Sequence, residues 1–502
     1  MTDAKKLISG AREISHAQIR AQAGQAATGF AAAGVTPGDT VAIMLRNDFP
    51  FIVATLAASM LEATATPVNW HYTADEATHI LADSGAKALV VHADIWRTLA
   101  PQMAADMMQG ITVVAVETPL ELIEAFGLNT ADCTALDDTL NWHDWIAAQA
   151  SWQGDPPQPR SAMIYTSGTT GKPKGVKRLG ATAVTTKGNH GSFVPEARLL
   201  LTAPMYHSAP NRAAMSTFYV GGEIVIAPRF DAQDTLRLIE EHKISHSFMV
   251  PTMLIRLLKL PDDVRAKYDI SSLKHIVIAG APCPPDVKGA IINWWGPVLF
   301  EYYGGTETGA ITYCTSEDAL AHPGTVGKAV PDATIRILDE DGNECPTGTA
   351  GEIFGRLHPI PDFTYQGNPQ ARADVEIDGL ITCGDIGYLD ADGYLYISDR
   401  KKDMVISGGV NIYPAEIEAA LFDHKGIHDC AVFGLPHAEF GEQVVAAILP
   451  EPGVVMDQTQ VNDFLRERIA AYMIPRQVIF VEELPRDDSG KIFKRKLRDI
   501  YG

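Results

Sequence analysis

The chain has 502 residues, 46% of them hydrophobic, long enough for more than one domain and able to bury large cores. With 41 Lys and Arg against 62 Asp and Glu, the net charge is -21, which argues against nucleic acid as a partner and for a soluble cytoplasmic enzyme. The six cysteines are scattered, with no C-x-x-C pair, so they read as reduced thiols and argue against a zinc site.

The opening stretch MTDAKKLISGAREISH has no apolar core of a secretory leader. The longest apolar run, FPFIVATLAASML at 49–61, is too short to span a bilayer and is flanked by Asp48 and Glu62. It predicts a buried helix and no integral membrane association. Short β-rich runs follow at 88–93, 111–117, 198–204, 223–228, 245–251 and 273–280, interleaved with helical patterns such as DAQDTLRLIEEHK at 231–243. That alternation predicts α/β layers. No fixed-period repeat and no low-complexity segment is visible.

After about residue 330 the character changes. ATIRILDEDGNECP, AGEIFGR and GLITCGDIGYLDADGYLYISDR are β-runs joined by Asp-Gly turns, so a small barrel-like part or antiparallel sheet is expected there. Past Arg400 a helix, two strands, a second helix, another strand and a basic tail form an α+β unit of about a hundred residues. The predicted organisation is a large N-terminal domain of layered α/β subdomains, 1–400, and a small mobile α+β domain, 401–502. SDRKKDMVISGG at 398–409 is the joint.

Residues 165–176, YTSGTTGKPKGV, pack four Ser/Thr hydroxyls, three glycines and two lysines into one run. Glycines let backbone approach a ligand closely, hydroxyls and N–H groups donate, and Lys172 and Lys174 supply charge. This is phosphate-binding chemistry, but the spacing of Gly168 to Gly171-Lys172, with Pro173 next, differs from a P-loop. A flexible surface turn accounts for any three of these residues, not for the whole run. The preceding SAMIY, 161–165, reads as a short buried strand, which would put the loop at a strand end of an open α/β sheet.

Four further stretches carry polar groups in suggestive places: EYYGGTETG at 301–309, CGDIGYLDADGYLYISDR with Asp385 and Arg400, SGGVNIYPAEIE from Ser407, and RDDSGKIFKRKLRD with Lys491. Each alone is an ordinary loop, hairpin or solvated tail. Together and in this order they resemble the adenylate-forming superfamily of acyl-CoA synthetases, luciferases and peptide-synthetase adenylation domains, over about residues 24–496.

The resemblance implies a reaction in two halves: a carboxylate attacks the α-phosphate of ATP, then coenzyme A displaces AMP. Positioning and charge neutralisation would carry both. It implies that Thr166, Ser167, Gly168, Thr169, Thr170, Gly171 and Lys172 wrap the β- and γ-phosphates. Glu307 would hold Mg²⁺, and Thr306 would bond the α-phosphate. Gly280, Ala281 and Pro282 with Glu301, Tyr302 and Tyr303 would enclose the adenine. Asp385 would accept the ribose hydroxyls, with Arg400 beside it. Lys491 would bridge carboxylate and α-phosphate in the first half only. His207, from APMYHSA, would line the acyl pocket and the path of the thiol. The pivot falls at Lys402, and rotation there would exchange the Lys491 face for that of Ser407, Gly408 and Gly409, bordering the pantetheine channel.

The chain departs from the family pattern at Cys383, where Thr is usual, at Gly305, often larger, and at Asp487-Asp488 in the tail. Gly304 and Gly305 are expected at the acyl-pocket wall, leaving room for a wide or long acyl group. Phe193, Met205, Phe248 and Met249, with no obvious cation nearby, point to an apolar acid: a medium- or long-chain fatty acid, an aryl or phenylpropenoic acid, or a steroid side-chain acid. An amino-acid-activating domain is disfavoured because PMYHSA fits CoA ligases and no carrier domain follows Gly502. Luciferase-like oxidation shares the first half-reaction. A non-catalytic nucleotide-binding homologue is disfavoured by the retained Lys491, Glu307, Arg400 and Asp385. A homodimer is the default expectation for assembly.

Overall fold

The structure, a computed structural model, describes residues 5–103, 108–137, 139–158, 160–166, 173–180, 193–407, 410–486 and 492–502. Among them, seven strands form one sheet in the order Leu299–Glu301, His275–Ile278, His246–Met249, Arg198–Leu201, Glu223–Ile226, Lys6–Ser9, Arg12–Ser15. Its pairings are parallel except between the last two strands. Near-continuous apolar runs such as LLL and HIVI suit parallel strands covered on both faces. The terminal hairpin was not expected; it turns at Gly10, and Leu7 and Ile14 face the core.

A second sheet, parallel throughout, runs Thr64–Pro67, Thr40–Met44, Ala86–His92, Thr112–Val116, Leu140–Asn141. The apolar run at 49–61 is the helix Phe49–Met60, buried from Phe49 to Ser59. Asp48 does not interrupt this core. It caps the helix, accepting from the Phe49 N–H at 2.7 Å, and pairs with Arg12 at 2.7 Å. No described helix is long and apolar enough to cross a membrane.

The Asp-Gly turns lead to an antiparallel sheet of seven strands, as expected. Its central hairpin, Leu380–Leu389 with Tyr394–Arg400, turns at Asp390, whose carboxylate accepts from the Asp392 and Tyr394 N–H groups at 2.9 Å each. The strand before the Gly/Thr-rich loop differs from expectation. It is Ile164–Thr166, in a small antiparallel sheet with Lys174–Arg178 and Phe363–Tyr365, so the strands on either side of the loop pair with each other and do not belong to an open parallel sheet.

The C-terminal unit is a five-stranded sheet with apolar clusters on both faces. The basic tail is not simply solvated: it forms the helix Lys494–Tyr501, with Leu497 buried against Phe433 and Leu435. Lys494 pairs with Glu418 at 2.8 Å, and Glu418 also accepts from the Val432 N–H at 2.7 Å. Burial works against the Lys494 charge, but Glu418 and Asp399 outweigh it and raise its pKa. Removing one member of such a pair leaves a buried charge uncompensated. Glu418→Ala should therefore destabilise the C-terminal unit by about 3 kcal/mol, read as an earlier unfolding transition or faster proteolysis after residue 400; an unchanged transition would contradict the pairing.

Candidate active site

The carboxyl ends of the parallel strands, where open α/β sheets bind ligands, meet the antiparallel sheet and the C-terminal unit at a cleft of about 2210 Å³. Thr166, His207, Gly280, Ala281, Pro282, Glu301, Tyr302, Tyr303, Gly304, Thr306, Glu307, Asp385, Arg400 and Lys402 all line it. Ser407 does not; it lies on the strand Val405–Ser407, opposite Val410 and Gly441. Ser167, Gly168, Thr169, Thr170, Gly171, Lys172, Gly408, Gly409 and Lys491 lie outside the described residues.

The turn at Asp390 sets the register that brings Asp385 directly opposite Arg400. Asp385 is buried, its Oδ1 3.3 Å from Arg400 Nε and its Oδ2 accepting from the Tyr303 hydroxyl at 2.7 Å. Burial, reinforced by Asp385, holds the Tyr303 phenol well above its usual range, so it remains a donor. A carboxylate gripped from two sides keeps its remaining lone pairs in fixed directions, as an acceptor for paired hydroxyls must.

Thr306 and Glu307 follow the strand Leu299–Glu301. Thr306 Oγ1 donates to Ser208 Oγ at 3.2 Å, at the start of the helix Ser208–Val220. Glu307 Oε1 accepts from the Tyr365 hydroxyl at 3.0 Å. Burial first, then Glu307, raises the Tyr365 phenol, so it too stays protonated. Arg178 donates to the backbone carbonyls of both Thr306 and Glu307. Burial pushes its guanidinium down to about 10, still charged at neutral pH. His207 occupies the N-cap position of the same helix without a side-chain capping bond, its ring 4.5 Å from that of Tyr206.

Three expectations change. Glu301 does not offer its carboxylate to the cleft: it is buried and accepts from Lys288, which also donates to the Thr325 carbonyl at 2.8 Å. Its carboxylate is thus taken up by Lys288. Gly304 and Gly305 are not vacancies in an acyl wall. A Cβ on Gly304, at φ 158°, would stand 1.8 Å from the Gly309 carbonyl oxygen, and one on Gly305 would stand 2.5 Å from Cys383 Sγ. Both glycines serve the close packing of the Thr306–Glu307 turn. Of the apolar residues, Phe193 and Phe248 line the cleft while Met205 and Met249 are core. Arg212 also lines it, 5.7 Å from the Phe193 ring, so the wall does carry a cation.

Sequence reasoning missed Arg178, Ser208 and Tyr365, which hold the expected ligands in place. Tyr365 had no local signal, because its strand joins the site only through tertiary pairing. Cys383 is half-buried, and burial first, then Glu307 and Asp385, raises its thiol, which favours the protonated form over a thiolate. Gly305→Ala should lower turnover alike with short and bulky acids, and Cys383→Ala in the same chain should recover much of the loss. A loss confined to bulky acids, measured as kcat/KM across chain lengths, would restore Gly305 to an acyl wall.

Residues 1–357 match the AMP-binding enzyme family and residues 416–491 the AMP-binding enzyme C-terminal domain. An indoleacetate–CoA ligase of Aromatoleum aromaticum is 32% identical over 504 residues, spanning 97% of this chain and 93% of that protein. A long-chain-fatty-acid–CoA ligase of Mycobacterium tuberculosis is 31% identical over 507 residues, spanning 97% and 93%. The crystal structure of ATP-bound MatB from Rhodopseudomonas palustris, 28% identical, aligns with a TM-score of 0.84 over 99% of this chain and 96% of that one. Matched in both domains and along nearly its whole length, the chain belongs to the AMP-binding enzyme family, as an AMP-forming acid–thiol ligase.

Proposed function

We propose that the protein activates an apolar carboxylic acid with ATP and passes the acyl group to coenzyme A. In the first half, a carboxylate oxygen attacks the α-phosphorus and the bond to pyrophosphate breaks, leaving acyl-adenylate. In the second, the CoA sulfur attacks the acyl carbon, the bond to AMP breaks and the thiol proton is released. The observation that carries this reading is convergence: a doubly held carboxylate, Asp385, shares one cleft with the Thr306–Glu307 turn and an aromatic-lined wall.

Asp385 would accept from the ribose hydroxyls and Arg400 would hold it there. Thr306 would donate to the α-phosphate. The 165–172 loop would wrap the outer phosphates, and Lys491 would bridge the reacting oxygens. The described residues hold no group of three or more His, Cys, Asp or Glu fit for a metal. A lone carboxylate fits Mg²⁺, which takes one or two carboxylates beside phosphate oxygens and water. Glu307 would hold it, and bound there it would neutralise phosphate charge. Phe193 and Phe248 on the wall support an apolar acid. A bulky fatty acid and an aryl acid both fit, and the named activities of the relatives support each arm.

The domains divide at 400/401 with the pivot at Lys402. The polar ties across this joint, Asp399 to the Ala415 N–H at 2.8 Å and Lys259 to Glu451 at 3.1 Å, support a joint that can rearrange. The tail residues Ile492 to Lys496 line the cleft while Ser407 faces elsewhere, which supports an arrangement suited to the first half-reaction.

The direct test is acid-dependent pyrophosphate exchange and CoA-dependent AMP release over fatty, aryl and steroid side-chain acids. Turnover of at least one apolar acid is expected; silence across all of them, with ATP bound, would favour a non-catalytic homologue. Proline fixes φ near roughly −65°, so Lys402→Pro should hold one domain arrangement. Exchange should survive while thioester formation collapses; undiminished thioester formation would move the pivot away from Lys402.

A further inference from the structure

Arg178 ends the strand Lys174–Arg178, which leaves the 165–176 loop. Side chains alternate along a strand, so Arg178 shares its face with Val176, which is buried. Across the ladder Val176 opposes Tyr365 and Arg178 opposes Phe363. An apolar residue would suit this inward position better, since burying a charge without a paired countercharge costs free energy.

The guanidinium makes no ion pair among the described residues. Its Nη2 donates to the carbonyls of Thr306 and Glu307, the latter at 3.0 Å, and its Nη1 donates to the Pro361 carbonyl at 3.0 Å. The charged groups around it are Glu307, Asp362, Arg356 and Arg212. Asp362 is already bonded to Arg372 at 2.9 Å, and Glu307 to Tyr365 at 3.0 Å. A planar fork of fixed donors can span adjacent carbonyls in a way an ammonium cannot.

Resting on the function proposed above, we infer that Arg178 is a positioning residue for the adenylating half-reaction, clamping the Thr306–Glu307 backbone to the strand that leaves the phosphate loop. The two halves of the polyphosphate site come from chain segments more than a hundred residues apart, and this one side chain ties them at a fixed spacing. Its hydrogen bonds go to carbonyl oxygens, while the nearby carboxylates of Glu307 and Asp362 support its charge.

The acyl-adenylate keeps the α-phosphate assigned to Thr306 but has lost the β- and γ-phosphates and the metal assigned to Glu307, so the second half-reaction depends on the clamp less than the first. Arg178→Met should lower pyrophosphate exchange by about 100-fold, the cost of a small misplacement of reacting groups. CoA transfer from supplied acyl-adenylate should fall far less. The rise in melting temperature on adding ATP with Mg²⁺ should shrink much more than the rise on adding AMP. Arg178→Lys keeps the charge without the fork and should show the same selective loss in milder form. Should the Met variant fail to fold, the Lys variant decides by the same measurements. Equal loss in both half-reactions, equal loss of the two thermal shifts, or full activity with Lys would overturn the inference. A wild-type protein silent with every acid would instead overturn the functional reading.

Discussion

The register of one hairpin governs the site. Asp385 faces Arg400 because Leu380–Leu389 and Tyr394–Arg400 are paired around the Asp390 turn with a single irregularity between Ile386 and Gly387. A slip of one residue would send every side chain to the opposite face and separate Asp385 from Tyr303. The same strand delivers Asp399 to the first turn of the helix Pro414–Phe422, so the hairpin also fixes where the C-terminal unit begins. The Asp385–Arg400 pair and the contact with the helix Pro414–Phe422 therefore depend on one turn.

Buried charge is handled in three ways around the cleft. Lys288 and Glu301 form a closed pair under the tyrosines, with Glu301 outweighing the burial that works against the Lys288 ammonium and raising its pKa. Asp385 is shared between an arginine and a phenol. Arg178 is hydrogen-bonded to carbonyl oxygens, with Glu307 and Asp362 nearby. The first is a closed pair, the second a carboxylate held from two sides, and the third a cation whose donors are taken by backbone.

Much of this was legible in the residues. Continuous apolar runs gave the parallel strands, and Asp-Gly pairs gave the hairpins, because both signals act over a few residues. The polar members of the cleft were found through their motifs. What escaped was set by tertiary pairing. Tyr365 reaches Glu307 only because Phe363–Tyr365 adds to a strand nearly two hundred residues earlier. Taken alone, the tail looks solvated, because its charge pattern hides one buried leucine and one paired lysine. The two glycines were misread because nothing in the sequence says what would occupy the space of a missing Cβ; the structure answers with the Gly309 carbonyl and the Cys383 sulfur.

The first strand, Lys6–Ser9, has as its inner neighbour Glu223–Ile226, with Leu7 opposite Ile224. That neighbour is made more than two hundred residues later. At a synthesis rate of about 5–20 residues per second, the apolar face of the opening hairpin waits roughly 10–40 s for its partner strand. Pairings this distant in sequence are slow to close and leave unpaired edges open meanwhile. Lys6, Arg12 and Glu13 put charge on that hairpin, and charged side chains on an open sheet edge work against pairing with another chain until the sheet closes.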